Sequence, residues 1–239
     1  MYPHGNLFIS AAHGRLEAIL KEPRDGRAAA RGVALVLHPH PLYGGTMHNK
    51  VAFRAARALN EANCVALRIN FRGTGQSTGT HDHARGGEQE DTGVALDYLV
   101  EKYPMLPLLL AGFSFGARVG LEVGIKDSRV RALIGIGTPV SAAERDYDFS
   151  FLRECRKPIL FVHGERDEFG DVATLQKLVA EIPAEAHARL HVIPGAGHFF
   201  DDQLDELTRV IREWTEEELE RMKEEEGRGD AETRRRGEK

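Results

Sequence analysis

Six short, nearly continuous apolar runs recur along the chain, at 33–37, 64–71, 107–111, 130–136, 159–163 and 189–193. Runs of Val, Leu and Ile without polar alternation read as strands buried on both faces, the signature of a parallel sheet. The segments between them carry helical spacing instead: Val51, Phe53, Ala55 and Leu59 within 47–60, and Val94, Leu96, Leu99 and Val100 within 88–102. Further helices are expected at 115–125, 172–181 and 203–214. Strands alternating with helices predict an α/β fold, a mostly parallel central sheet with helices on both faces. Ahead of this alternation, apolar residues at 7–9 and 16–20 flank Ala12-His13-Gly14-Arg15, which predicts an antiparallel N-terminal hairpin at the sheet edge. The whole is read as one domain, 1–214, followed by a charged stretch at 215–239. In that stretch Glu216, Glu217 and Glu220 lie near Arg221, Lys223 and Glu224, with almost nothing apolar to bury. It is expected to be a charged C-terminal helix extension or a disordered tail.

Composition then removes several classes of function. A formal charge of -5 opposes nucleic-acid binding, which usually shows a clustered basic face. No apolar run approaches the roughly 20 residues that cross a bilayer, so no membrane span is expected. The start, MYPHGNLFIS, lacks a basic segment followed by an apolar one, and the expected location is cytoplasmic. Cys64 and Cys155 lack metal-ligand spacing and are expected to be buried free thiols. A homodimer is admissible.

The chemistry-bearing pattern is Gly112-Phe113-Ser114-Phe115-Gly116, which follows the apolar run 107–111 and opens a helix. A serine on such a strand-to-helix turn is held clear of the sheet, and only small neighbours permit so tight a bend. The positive end of the helix, with the N–H of Phe115, would face the oxygen of a developing tetrahedral intermediate. A serine hydroxyl is a poor nucleophile without a positioned base. Of eleven histidines only His163 and His198 follow the later strands. His163 ends its strand, whereas His198 lies in the loop Pro194-Gly195-Ala196-Gly197-His198, free to reach the serine. Asp167 follows the preceding strand, and the order Ser114, Asp167, His198 suits a triad. The rival acids Glu168 and Asp171 lie nearer the next helix and are assigned to capping it.

Three longer stretches carry a resemblance: Leu37-His38-Pro39-His40-Pro41-Leu42-Tyr43-Gly44-Gly45-Thr46-Met47-His48-Asn49-Lys50, then Asn70-Phe71-Arg72-Gly73-Thr74-Gly75-Gln76-Ser77, then Gly112 to Ala117. Before its tail the chain resembles the α/β-hydrolase superfamily, and more narrowly the small bacterial serine hydrolases with an HPHPxxGGxMxN signature. The resemblance implies an α/β-hydrolase fold with little or no lid and action on small esters. It implies that the backbone N–H of His40 is the second oxyanion donor, with Leu42 next in line, since Pro39 and Pro41 have none. It also implies that Arg72 pins the floor of the site.

The stretch 138–158 is too short for a helical cap, so a shallow pocket is expected. Leu42, Tyr43, Phe113 and Phe199 would form its apolar rim, joined by Phe200, Tyr147, Phe149 and Phe151. The glycines of 71–79 do not fit a dinucleotide site, because no helix opens directly after them. His38, His40, His48, His81 and His83 lack the carboxylate or cysteine partners of a metal site, so neither metal nor cofactor is expected. The resulting reading is a serine esterase that cleaves short acyl or aryl esters through an acyl-enzyme, with a small-molecule ester as partner. Its activity should rise over about pH 6 to 7, where an imidazole base ordinarily loses its proton. A peptidase or thioesterase with the same triad, or a non-catalytic binding protein using the charged tail, are the alternatives.

Overall fold

Eight strands form one sheet in a computed structural model that describes residues 6–82, 85–141 and 147–237. His83 and the first five residues, weighed above for metal binding and export, lie outside the described residues. In chain order the elements are β1 (Leu7–Ala11), β2 (Gly14–Lys21), β3 (Gly32–Leu37), α1 (Lys50–Glu61), β4 (Cys64–Ile69), α2 (Gly87–Lys102), β5 (Leu108–Phe113), α3 (Phe115–Lys126), β6 (Val130–Ile136), β7 (Ile159–Gly164), α4 (Val172–Ala180), β8 (Arg189–Ile193) and α5 (Leu204–Gly237). The strands lie in the order β1-β2-β4-β3-β5-β6-β7-β8. The hairpin β1/β2 occupies one edge, with β2 antiparallel to β4, and every later pairing is parallel. The mostly parallel sheet is the one the apolar runs predict, and the whole is the α/β-hydrolase fold that the resemblance implies.

The two faces of the sheet are packed differently, and strand alternation decides which residue goes where. Leu35, Leu67, Leu110 and Leu133 project to one side, where they meet Leu96 and Leu99 of α2 and Val119 and Leu121 of α3. Ala34, Ala66, Ala111 and Ala132 project to the other, against the alanines of α1 and against Leu207, Ile211 and Trp214 of α5. Small residues on that side let α1 and α5 approach closely, so both faces exclude water. Cys64 and Cys155 are free and buried, and desolvation pushes the Cys64 thiol up to about 12.

Two expectations are corrected. Residues 47–49 are not helical, because Met47 donates its N–H to Asn70 Oδ1 (2.8 Å) and Asn49 caps α1 by accepting from Val51 N–H (2.9 Å). Past Trp214 the chain continues as a helix, one of the two forms expected, but it is not without apolar burial, since Thr215, Leu219 and Met222 are buried. Leu219 and Met222, three residues apart, share one helical face and pack into the α1 side of the core, which the abundance of charge concealed. Arg221 pairs with Glu218 and Glu225 rather than with the acids named above.

Between β6 and β7 the described residues hold one short 3₁₀ segment, Ser150–Glu154, and no cap domain. No described helix is long and apolar enough to cross a membrane.

Candidate active site

Parallel strands deliver their following loops to one edge of the sheet, and the loops after β3, β5, β7 and β8 meet there. Ser114 forms the turn between β5 and α3 with φ 54° and ψ -119°, a conformation costing a non-glycine residue about 1–3 kcal/mol. Its surroundings enforce that conformation. Ser114 N–H donates to Ile136 O (2.8 Å), and its carbonyl accepts from Ala117 and Arg118. A β-carbon at Gly112 would lie 2.1 Å from the Gly116 carbonyl oxygen, and one at Gly116 would lie 2.6 Å from that of His38. Only glycine fits at either position.

The Ser114 hydroxyl lies 3.0 Å from His198 Nε2, and His198 Nδ1 lies 2.9 Å from each carboxylate oxygen of Asp167. The carboxylate can only accept, so Nδ1 carries the proton and Nε2 is left to accept from the serine. Asp167 also accepts from Phe169 N–H (2.9 Å), and its side chain is wholly buried. The imidazole of His198 is held among rings, with centroids of Phe169, Phe113 and Phe199 at 4.6, 4.9 and 5.2 Å. The rival residues go elsewhere. His163 is buried with Nε2 on Gly170 O, and Asp171 caps α4 by accepting from Thr174 N–H (2.9 Å). Glu168 is not the cap it was expected to be. It turns toward the site and accepts from His198 N–H (3.4 Å).

The loop after β3 is organised around a buried imidazole. His38 Nε2 accepts from Phe71 N–H (3.1 Å), which leaves the proton on Nδ1, and Nδ1–H donates to Pro39 O (2.6 Å). Complete burial lowers the pKa of His38 to about 4 through desolvation, so the ring is neutral near pH 7. A peptide plane holds its C=O and N–H in fixed opposition. By holding the Pro39 carbonyl, His38 therefore sets the direction of the His40 N–H. A β-carbon at Gly45 would lie 2.1 Å from the same Pro39 oxygen, so the loop closes back onto that peptide. Leu42 N–H donates to His40 Nδ1 (3.2 Å) and is thereby committed, which removes it as the next oxyanion candidate. Phe115, the first residue of α3, has no carbonyl of its own helix for its N–H.

The turn after β4 braces this loop. Glu17, buried on β2, accepts from Asn70 Nδ2 (2.7 Å) and Gln76 N–H (2.8 Å), while Asn70 Oδ1 holds Met47. Arg72 binds Asp91 through Nε and Nη2, tying the turn to α2. His81, weighed as a metal ligand, lies 2.6 Å from Glu88 through Nδ1 and stacks edge-on against His40.

A cavity of about 530 Å³ opens over Ser114 and His198. Of the expected rim, Tyr43, Tyr147 and Phe199 line it. Leu42 does not, because it points outward at 64% exposure. Phe113 is buried beneath the His198 ring, and Phe149, Phe151 and Phe200 belong to the core. Phe169, Pro139 and Glu168 line the cavity and were missed. The signal for Phe169 and Glu168 was their place directly after Asp167, where a turn must face the histidine that Asp167 holds.

Residues 33–221 match the family model of the alpha/beta hydrolase domain. An uncharacterized protein of Rickettsia prowazekii is 34% identical over 212 residues, 87% of either chain. Among solved structures, an alpha-beta serine hydrolase homologue from Coxiella burnetii superposes with a TM-score of 0.80 at 32% identity, covering 89% of this chain and 98% of the other. A serine hydrolase without a lid from Xanthomonas campestris gives 0.78 at 32% identity, covering 87% and 92%.

Proposed function

The chain belongs to the alpha/beta hydrolase family, and from that premise we propose that it is a serine esterase cleaving small carboxylic esters, with Ser114 as nucleophile, His198 as general base and Asp167 orienting the histidine. The observation that carries this reading is the unbroken series Ser114 Oγ, His198 Nε2, His198 Nδ1 and Asp167 carboxylate, with successive distances of 3.0 and 2.9 Å. The two similar solved structures described as serine hydrolases support it.

The steps follow from those positions. His198 Nε2 takes the hydroxyl proton as Ser114 Oγ bonds to the ester carbonyl carbon, and Asp167 stabilises the imidazolium that results. The carbonyl oxygen, now negative, is held by the Phe115 N–H at the head of α3 and the His40 N–H that His38 orients. The C–O bond to the alcohol breaks, and His198 returns the proton to the departing oxygen, leaving an ester between Ser114 and the acyl group. Water then adds with His198 as base, releasing the carboxylic acid and restoring the serine. With no cap domain among the described residues and a rim of Tyr43, Phe169 and Phe199, short acyl or aryl esters fit best.

The test is turnover of p-nitrophenyl acetate together with labelling by a fluorophosphonate. Wild-type protein should do both. Ser114→Ala should lose labelling and at least about 10⁴-fold in kcat/KM, as removal of a serine nucleophile does elsewhere. Labelling that persists in Ser114→Ala defeats the assignment. In a panel of p-nitrophenyl esters, faster cleavage of long than of short acyl chains would defeat the substrate class.

A further inference from the structure

The surroundings of His198 are asymmetric, and the asymmetry bears on what the leaving alcohol carries. Beneath the ring lies Phe113, wholly buried. On its open flank lie Phe169 and Phe199, each about 40% exposed (41% and 40%), and the exposed carboxylate of Glu168, which accepts from the His198 backbone N–H. All three line the cavity over Ser114. Among the described residues no lysine or arginine lines it, and Glu168 is its one carboxylate. The departing oxygen must collect its proton from His198 Nε2, so the alcohol half of an ester passes along this flank. Two aromatic rings beside one carboxylate match an ammonium group better than a neutral or anionic one, because the ring faces and the carboxylate both attract positive charge. Phe199 already shows this contact, with Lys50 Nζ 5.8 Å from its centroid while Asp201 pairs with the same ammonium.

We propose that the cavity selects esters whose leaving alcohol carries a cation, with Glu168 as the counter-ion and the rings of Phe169 and Phe199 as the wall against which the cation rests. This rests on the esterase reading above and adds the class of alcohol. Since Glu168 faces solvent, salt screens the preference and its size is modest.

The experiment compares 2-(trimethylammonio)ethyl acetate with 3,3-dimethylbutyl acetate, which have the same shape and differ in a charged nitrogen replacing a carbon. Each kcat/KM is divided by the alkaline hydrolysis rate of the same ester, which removes the difference in leaving-group reactivity. The cationic ester should be favoured about tenfold at low salt and progressively less as salt approaches about 0.5 M. Glu168→Gln should bring the ratio to within about twofold of unity. Glu165→Gln, which removes a charge from the same loop outside the cavity, should retain the preference. A wild-type ratio near unity, or one that Glu168→Gln leaves intact, overturns the proposal. If p-nitrophenyl acetate is still cleaved, the esterase reading survives that result. If no ester is cleaved, both fall together. Should Glu168→Gln fail to fold, the salt dependence of the wild-type ratio decides, and a ratio that ignores salt counts against the proposal.

Discussion

Two loops meet at the Ser114 hydroxyl, and they are made rigid by opposite means. The turn after β5 is tight because side chains are missing, since Gly112 and Gly116 leave room for backbone oxygens that a β-carbon would strike at 2.1 and 2.6 Å. The loop after β3 is firm because a side chain is present, the buried imidazole of His38 bonded on one side to Phe71 and on the other to Pro39. The first device resists any addition, and the second resists any subtraction. Together they hold the two peptides whose N–H groups, of Phe115 and His40, are the proposed oxyanion donors, without using a side chain that would itself titrate near pH 7.

The sharpest way to break the contrast is to add a methyl group to the turn. Gly116→Ala drives a β-carbon against the carbonyl oxygens of His38 and Leu37, which cannot rotate away, and should cost about 4 kcal/mol in urea unfolding, beyond the usual range for overpacking. A loss below about 1 kcal/mol would mean that the turn is not packed as described.

Next comes the pH dependence that His38 imposes. Its pKa lies near 4 in the fold, against 6.5 for an exposed histidine, because burial opposes the charge. Between these values the unfolded chain binds a proton that the folded ring refuses. Stability is therefore full above about pH 6.5, falls as pH drops and stops falling near 4, where the folded ring also protonates. The total is on the order of 3 kcal/mol, and His38→Gln should flatten this part of the stability profile. Equal slopes in the two proteins would show that His38 is not held neutral.

The smallest expected effect is kinetic. Releasing the Pro39–His40 peptide through His38→Gln should lower kcat on p-nitrophenyl acetate by about tenfold to a hundredfold with KM little changed, because an oxyanion donor acts mainly on the transition state. A change confined to KM would place His38 outside the reaction.

Much of this arrangement was legible from residue order. Sheet strands announced themselves because parallel strands buried on both faces tolerate almost nothing polar, and the turn at Ser114 because so tight a bend admits only glycine on either side. The rim was less legible. A large apolar side chain in or beside a loop is apolar wherever it points, so Leu42, Phe113 and Phe169 look alike in sequence, yet one faces solvent, one lies beneath His198 and one lines the cavity. The burial of α5 past Trp214, though not its helical form, was misjudged for a similar reason, since Leu219 and Met222 are sparse among charges but fall on one face.

By itself, then, the order of residues determined the α/β alternation, the hairpin at the edge and the chain positions of Ser114, Asp167 and His198, because each rests on local periodicity or on a short steric constraint. Only the tertiary structure decided that Glu168 turns toward His198, that His38 holds the Pro39 carbonyl, and which rings surround the cavity. Those are contacts between loops from different strands, and their geometry is set by how the sheet twists and the helices pack rather than by any neighbour in sequence.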